Sequence, residues 1–193
     1  MKLIFATQNQ HKLQEARQII GNRFELISLA DLNFHSELPE THFTFEENAR
    51  EKACFIYEKF HQNCFAEDAG LEVDALNGEP GVFSARYAGK DKSNSENINL
   101  VLQKMQGVQN RTAIFRAAIC LILNGSSYLF EGISEGTIIQ SVKGNFGFGY
   151  DPIFIPEGFD KTYAEIDSES KNSIDHRGKA LRQMIALLDR FQH

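Results

Sequence analysis

The sequence predicts an α/β fold on a mixed sheet, and three patterns carry that expectation. Short apolar runs such as Leu3-Ile4-Phe5-Ala6 and Cys64-Phe65-Ala66 suit strands covered on both faces, as parallel strands usually are. Amphipathic stretches at helical spacing alternate with these runs early in the chain. In the second half, Asn124-Gly125 lies between two β-rich runs, and that dipeptide suits the two positive-φ positions of a type I′ hairpin turn. Helix-linked strands and an antiparallel hairpin together make the sheet mixed.

Taken in order, the first strand covers residues 3–6 and passes into the polar loop Thr7-Gln8-Asn9-Gln10-His11-Lys12. A helix follows, with Leu13, Ala16, Ile19 and Ile20 as its apolar positions and Gly21-Asn22 as its stop. Residues 24–29 form a second strand candidate. Thr44 with Glu47 three residues on is a capping-box pattern, opening a helix whose Ala49, Ala53, Ile56 and Phe60 recur at helical spacing. The strand containing Cys64, Phe65 and Ala66 is expected to end at Glu67-Asp68-Ala69-Gly70, with a separate short strand over residues 71–76. A turn-rich Asn77-Gly78-Glu79-Pro80-Gly81 comes next, then a helix from about Ser95 carrying Ile98, Val101, Leu102 and Met105. Residues 112–123 are too rich in β-formers to read as a helix. The last helix is expected to place Ile174, Leu181, Met184, Ile185, Leu188 and Phe191 on one stripe. No repeat or Pro/Ser-rich linker divides the chain, so residues 1–193 read as a single domain.

Composition narrows the function classes. With 42% apolar and 24% charged residues, 14 Gly and 4 Pro, the chain is neither collagen-like nor disordered. A net charge of −6 argues against a general nucleic-acid binder, which needs a basic face, but leaves room for an anionic small ligand held by local lysines. Three cysteines without a CxxC pair read as free thiols in a reducing compartment. The apolar start turns polar at Thr7, too early for a signal peptide, and no run reaches the roughly 18 apolar residues of a membrane span. The cytoplasm is the expected address.

Four constellations bear chemistry. The loop of residues 7–12 runs from a strand end into a helix N-terminus, whose N–H groups and positive dipole end suit a phosphate; Lys12 adds a cation, and Thr7 and Asn9 add polar side chains. It lacks the glycines of a Walker loop, and an ordinary connection capped by Asn9 reads equally well. Glu67-Asp68, after an apolar strand, offers hard oxygens for Mg²⁺ and a base for a polarised water; a solvated turn is the plainer alternative. Glu40, in a polar loop upstream, is a further ligand candidate. Gly144-Asn145-Phe146-Gly147-Phe148-Gly149-Tyr150-Asp151 interleaves glycines with aromatic rings that can face a planar base, with Asp151 at the base edge. Lys171 and His176-Arg177 enter the last helix, where the dipole disfavours cations, so an anionic or carbonyl-bearing ligand is one reason to keep them.

These segments, together with Thr44-Phe45-Glu46-Glu47-Asn48-Ala49 plus Lys52 and Pro80-Gly81-Val82-Phe83-Ser84-Ala85-Arg86-Tyr87-Ala88-Gly89, resemble the inosine triphosphate pyrophosphatase family, collinearly over essentially the whole chain. The resemblance implies an elongated mixed sheet with flanking helices forming two lobes around a central nucleotide cleft. It implies Mg²⁺-dependent hydrolysis of ITP, dITP and XTP to the monophosphate and pyrophosphate by a homodimer, with no nucleic-acid polymer or membrane as partner. By position, Thr7, Gln8, Asn9, Gln10, His11, Lys12 and Lys52 would hold the triphosphate, and Asp68 would be proton acceptor and metal ligand with Glu40 and Glu67 in the metal region. Ala69, Phe148, Gly149, Tyr150, Asp151, Lys171, His176 and Arg177 would form the nucleotide and base site. Gln8, Ala69 and Asp175 depart from the family's usual Gly, Ser/Thr and Ser; Asp175 reads as the N-cap of the last helix, or else as a reader of the base. A pyrophosphatase for other modified nucleotides, and a non-catalytic nucleotide sensor with no need of Glu67-Asp68, are the alternatives.

Overall fold

The computed structural model describes residues 1–90 and 93–191. Six strands, β1 (Lys2–Ala6), β2 (Glu25–Ser28), β3 (Cys64–Val73), β4 (Thr112–Leu123), β5 (Ser126–Ile138) and β6 (Phe154–Pro156), form one sheet in the order β2-β1-β3-β4-β5-β6. Its helices are α1 (Gln10–Ile20), α2 (Phe45–Phe60), α3 (Asn94–Lys104), α4 (Ser168–Ile174) and α5 (His176–Asp189). β1 lies parallel to both β2 and β3, whereas β5 and β6 are antiparallel, so the sheet is mixed as expected. Asn124 and Gly125 join β4 to β5 with φ of 51° and 84°, the two left-handed positions that a primed turn requires.

The chain divides into two compact units. The first comprises residues 1–68, 117–132 and 177–193. Its core includes Leu3, Ile4 and Phe5 of β1, the small Ala49 and Ala53 of α2, and Leu181, Met184 and Leu188 of α5. Phe5 and Phe65 stack at 4.3 Å across the β1/β3 pair. The second unit comprises residues 69–116 and 133–176. Leu71, Val73, Val101, Met105, Phe115, Phe154 and Tyr163 build its core.

The structure departs from the sequence reading at two elements. β3 does not stop at Glu67-Asp68-Ala69-Gly70 but runs unbroken to Val73. Charged residues read as strand ends because isolated charges do not bury; here Glu67 and Asp68 have cationic partners, so the ladder continues through them. The final helical region is two helices: Ile174 ends α4, Asp175 is extended at φ −74° and ψ 166°, and α5 starts at His176. Phe191 lies beyond α5 and is exposed, so the apolar stripe is shorter than expected.

Candidate active site

In the first unit, α2 begins where Thr44 Oγ1 accepts the Glu47 N–H, the cap that the sequence announces. Asn48 and Lys52 follow one turn apart, so both side chains leave the same face of the helix. Both reach Asp68. Asn48 Nδ2 donates to Oδ2 at 3.0 Å, and Lys52 Nζ donates to Oδ1 at 3.1 Å. The Lys52 ammonium also meets Glu40 Oε1 at 2.7 Å, so one buried cation joins two carboxylates. The segment ahead of α2 is strapped to it: Thr41 N–H and Oγ1 both donate to Glu51, and the His42 N–H donates to Asn48 Oδ1.

Burial sets the electrostatics of this cluster. Removal from water, the largest influence on Asp68, lifts its carboxyl above the ordinary range against the opposing pull of Lys52 and Lys12. Burial by itself would lower Lys52, but Asp68 and Glu40 outweigh it and hold the ammonium above its ordinary value.

Glu67 faces other cations. Arg177 grips it bidentately, Nε to Oε2 at 2.8 Å and Nη2 to Oε1 at 2.7 Å, and Lys12 Nζ stands 3.3 Å from Oε1. Arg177 Nη1 donates to Glu15 of α1, extending a line of alternating charges from Lys12 through Glu67 and Arg177 to Glu15, whose two ends belong to one helix. Arg177, expected in the nucleotide and base site, here addresses carboxylates with all three of its nitrogens.

The loop of residues 7–12 is shaped mostly by its own helix start. Asn9 Oδ1 accepts from the N–H groups of His11 and Lys12, and Thr7 Oγ1 accepts from the Asn9 N–H. Gln8 extends its side chain to the carbonyls of Ser36, at 2.9 Å, and His35, at 3.3 Å. Gln10 and His11 are exposed on the first turn.

The second unit holds the other expected residues. Asp151 is buried and accepts from the Phe148 N–H at 2.9 Å and from Lys171 Nζ at 2.7 Å. Lys171 lies over the Phe148 ring, at 5.0 Å, and the Tyr163 ring, at 5.7 Å. Gly147 is required here, because with φ of 73° a Cβ would collide with the Asp151 carboxylate. Tyr150 is buried and its hydroxyl donates to the Ser84 carbonyl, Gly149 is half-buried, and His176 stacks on Phe115 at 4.8 Å. Lys171 belongs to the last turn of α4, where the dipole favours a cation, and not to the start of the final helix, where the dipole would disfavour it. Ala69 is half-buried within β3.

Matches to known proteins cover the same span as the fold. The Ham1 family model matches residues 3–187. The chain belongs to the Ham1 family. It is 49% identical over 188 residues to the dITP/XTP pyrophosphatase of Flavobacterium johnsoniae, covering 97% of this chain and 98% of that one. It is 43% identical over 190 residues to the enzyme of the same name from Bacillus subtilis, covering 96% of each. Among Ham1 structures, a HAM1 protein from Coxiella burnetii superposes with a TM-score of 0.90 at 36% identity, over 98% of this chain and 99% of that one.

A Ham1 reading brings the metal into question, and the donor chemistry fits. Asp68 and Glu40 direct hard oxygens at one cationic point, now held by Lys52 Nζ, and Mg²⁺ needs only one or two carboxylates when phosphates supply other oxygens. Glu67 is not grouped with them, and among the described residues no three His, Cys, Asp or Glu side chains form a metal cluster. Sequence reasoning gave no role to Glu15, or to Asn48 beyond its place in the motif of residues 44–49; the signal for both is a helical offset, of four from Lys52 for Asn48 and of three from Lys12 for Glu15.

Proposed function

We propose that this Ham1 protein hydrolyses non-canonical purine nucleoside triphosphates (ITP, dITP and XTP) to the monophosphate and pyrophosphate, with Mg²⁺ as cofactor. The observation that carries the reading is the buried Asp68 carboxylate held by Asn48 and Lys52, in a chain aligned nearly end to end with dITP/XTP pyrophosphatases. Asp68 accepts the proton of a water that attacks a phosphorus of the α–β anhydride. One P–O bond forms to that water, the bond to the bridging oxygen breaks, and pyrophosphate departs. Burial suits the role, since a carboxylate lifted above its ordinary pKa is a stronger base nearer neutral pH. Lys12 and Lys52 supply positive charge to a triphosphate inside a chain of net −6. Mg²⁺, held by Asp68 and Glu40, would neutralise phosphate charge and polarise the attacking water.

The base is assigned to Phe148, Gly149, Tyr150 and Asp151. Backbone N–H donors satisfy the C6 oxygen of hypoxanthine or xanthine, whereas the amino group of adenine sets donor against donor at about 1–3 kcal/mol for each buried group left unpaired. We further propose that residues 1–193 act as one domain and as a homodimer in the cytoplasm. The free thiols Cys54, Cys64 and Cys120 support a reducing compartment, and burial pushes Cys64 up to about 12, which marks it as a packing group.

Pyrophosphate release measured over ITP, dITP, XTP, GTP, ATP and modified pyrimidine triphosphates, with Mg²⁺ and with chelator, tests the reading. Turnover confined to ITP, dITP and XTP and lost with chelator is expected. Preference for a modified pyrimidine would transfer the base assignment, and binding without turnover would make the protein a sensor. Sedimentation velocity on the same sample reads the dimer, and a single monomeric boundary would remove it.

A further inference from the structure

We infer that Asn48 is a positioning residue that fixes the plane of the Asp68 carboxylate. The inference rests on Asp68 as the reacting base. Its first support is that the amide can face only one way. The His42 backbone N–H can only donate, so the atom 2.9 Å from it is the Asn48 carbonyl oxygen, and the NH₂ end must face Asp68. The second is that the grip has two points. Asn48 and Lys52, four residues apart on α2, each take a different oxygen of the same carboxylate, at 3.0 and 3.1 Å. One donor alone lets a carboxylate swing about its Cβ–Cγ bond; two donors fixed on one rigid helix turn do not.

The third support is burial. Asn48 is 1% exposed, so water cannot replace the amide if it is lost without first entering the cluster. The same residue also ends the strap that carries Glu40, because residues 40, 41 and 42 are tied in turn to Lys52, Glu51 and Asn48. α2 is thus a platform on which one turn sets both the orientation of Asp68 and the place of Glu40. Lys52 brings charge to this arrangement, and Asn48 brings direction without charge.

The test compares Asn48→Ser, Asn48→Asp and Asp68→Asn in ITP hydrolysis, with thermal unfolding to show that each variant is folded. Asn48→Asp keeps an acceptor for the His42 N–H but has no donor for Asp68. Asn48→Ser removes the amide without adding charge or bulk. Both are expected to lower kcat at least tenfold while KM stays within about threefold. In the Asp68→Asn background, Asn48→Ser should change the residual rate less than threefold, since a residue acting through Asp68 has nothing left to orient. A wild-type kcat in folded Asn48→Asp, or a tenfold rise in KM at unchanged kcat, would overturn the inference, leaving Asn48 a strap anchor or a substrate contact. Failure of the underlying reading looks different: Asp68→Asn itself would keep its turnover.

Discussion

A carboxylate in a strand interior needs a reason to be there, and Asp68 has three partners that supply it: Asn48 and Lys52 as hydrogen-bond donors, and Lys12 as a second nearby cation. Asp68→Asn keeps the shape of the side chain and removes the base. We expect kcat for ITP to fall by far more than tenfold, about 1.4 kcal/mol, with inosine monophosphate still bound in a calorimeter. A variant retaining a tenth of the wild-type rate would deny Asp68 the proton. Gly147 is the other residue on which local geometry turns. Its φ of 73° is shared in kind by Gly149 at 60°, but a Cβ at Gly149 meets open space, whereas one at Gly147 meets Asp151. Gly149→Ala should cost about 1–2 kcal/mol for the left-handed backbone alone. Gly147→Ala should cost clearly more in urea unfolding, because it also pushes Asp151 from Lys171; equal costs would show that the Asp151 contact does not constrain the loop.

Among the elements, the junction of α4 and α5 carries a testable difference. Asp175 ends α4 with its N–H on the Lys171 carbonyl, and its extended backbone is the conformation of an N-cap for the helix that follows. It is wholly buried. A cap role predicts that Asp175→Ser keeps the ratio of kcat/KM for ITP over GTP, while Asp175→Ala lowers stability by about 0.5–2 kcal/mol in thermal melts. A shift in that ratio beyond tenfold in the Ser variant would assign Asp175 to the base instead. β3 teaches the converse lesson. Its sequence resembles two short strands because a charge pair and a glycine interrupt the apolar run, yet the cations of other elements let one strand pass through.

For the molecule as a whole, the first unit is assembled from three separated stretches of chain, and Arg177 ties the last of them to the first. Its guanidinium binds Glu67, 110 residues away in sequence, and Glu15, 162 residues away. All three groups are buried, so Arg177→Met leaves two carboxylates without their shared cation. A loss of about 3–5 kcal/mol in urea unfolding is expected, the usual cost of removing one partner from a buried ion pair. A loss under about 1 kcal/mol would mean that water enters the cluster readily. Adding Glu15→Gln to Arg177→Met should restore part of the loss, because one of the stranded charges is then gone.

The sequence by itself determined what short-range physics controls. Thr44 and Asn9 cap their helices, Asn124-Gly125 turns its hairpin, and the order of motifs along the chain carries the family. These depend on residues a few positions apart, where a side chain meets its own backbone or a dipeptide sets φ. Candidate site positions such as Asp68, Lys52, Asp151 and Lys171 were legible as residues, but their partners were not. That Lys52 is shared by Glu40 and Asp68, that Arg177 faces Glu67 and Glu15, and that Asn48 turns its NH₂ toward Asp68 were decided only in the tertiary structure. Buried charge forced those pairings, since each ionised group taken from water must find a counter-charge or donor, and the fold alone brings such partners together from distant stretches of the chain.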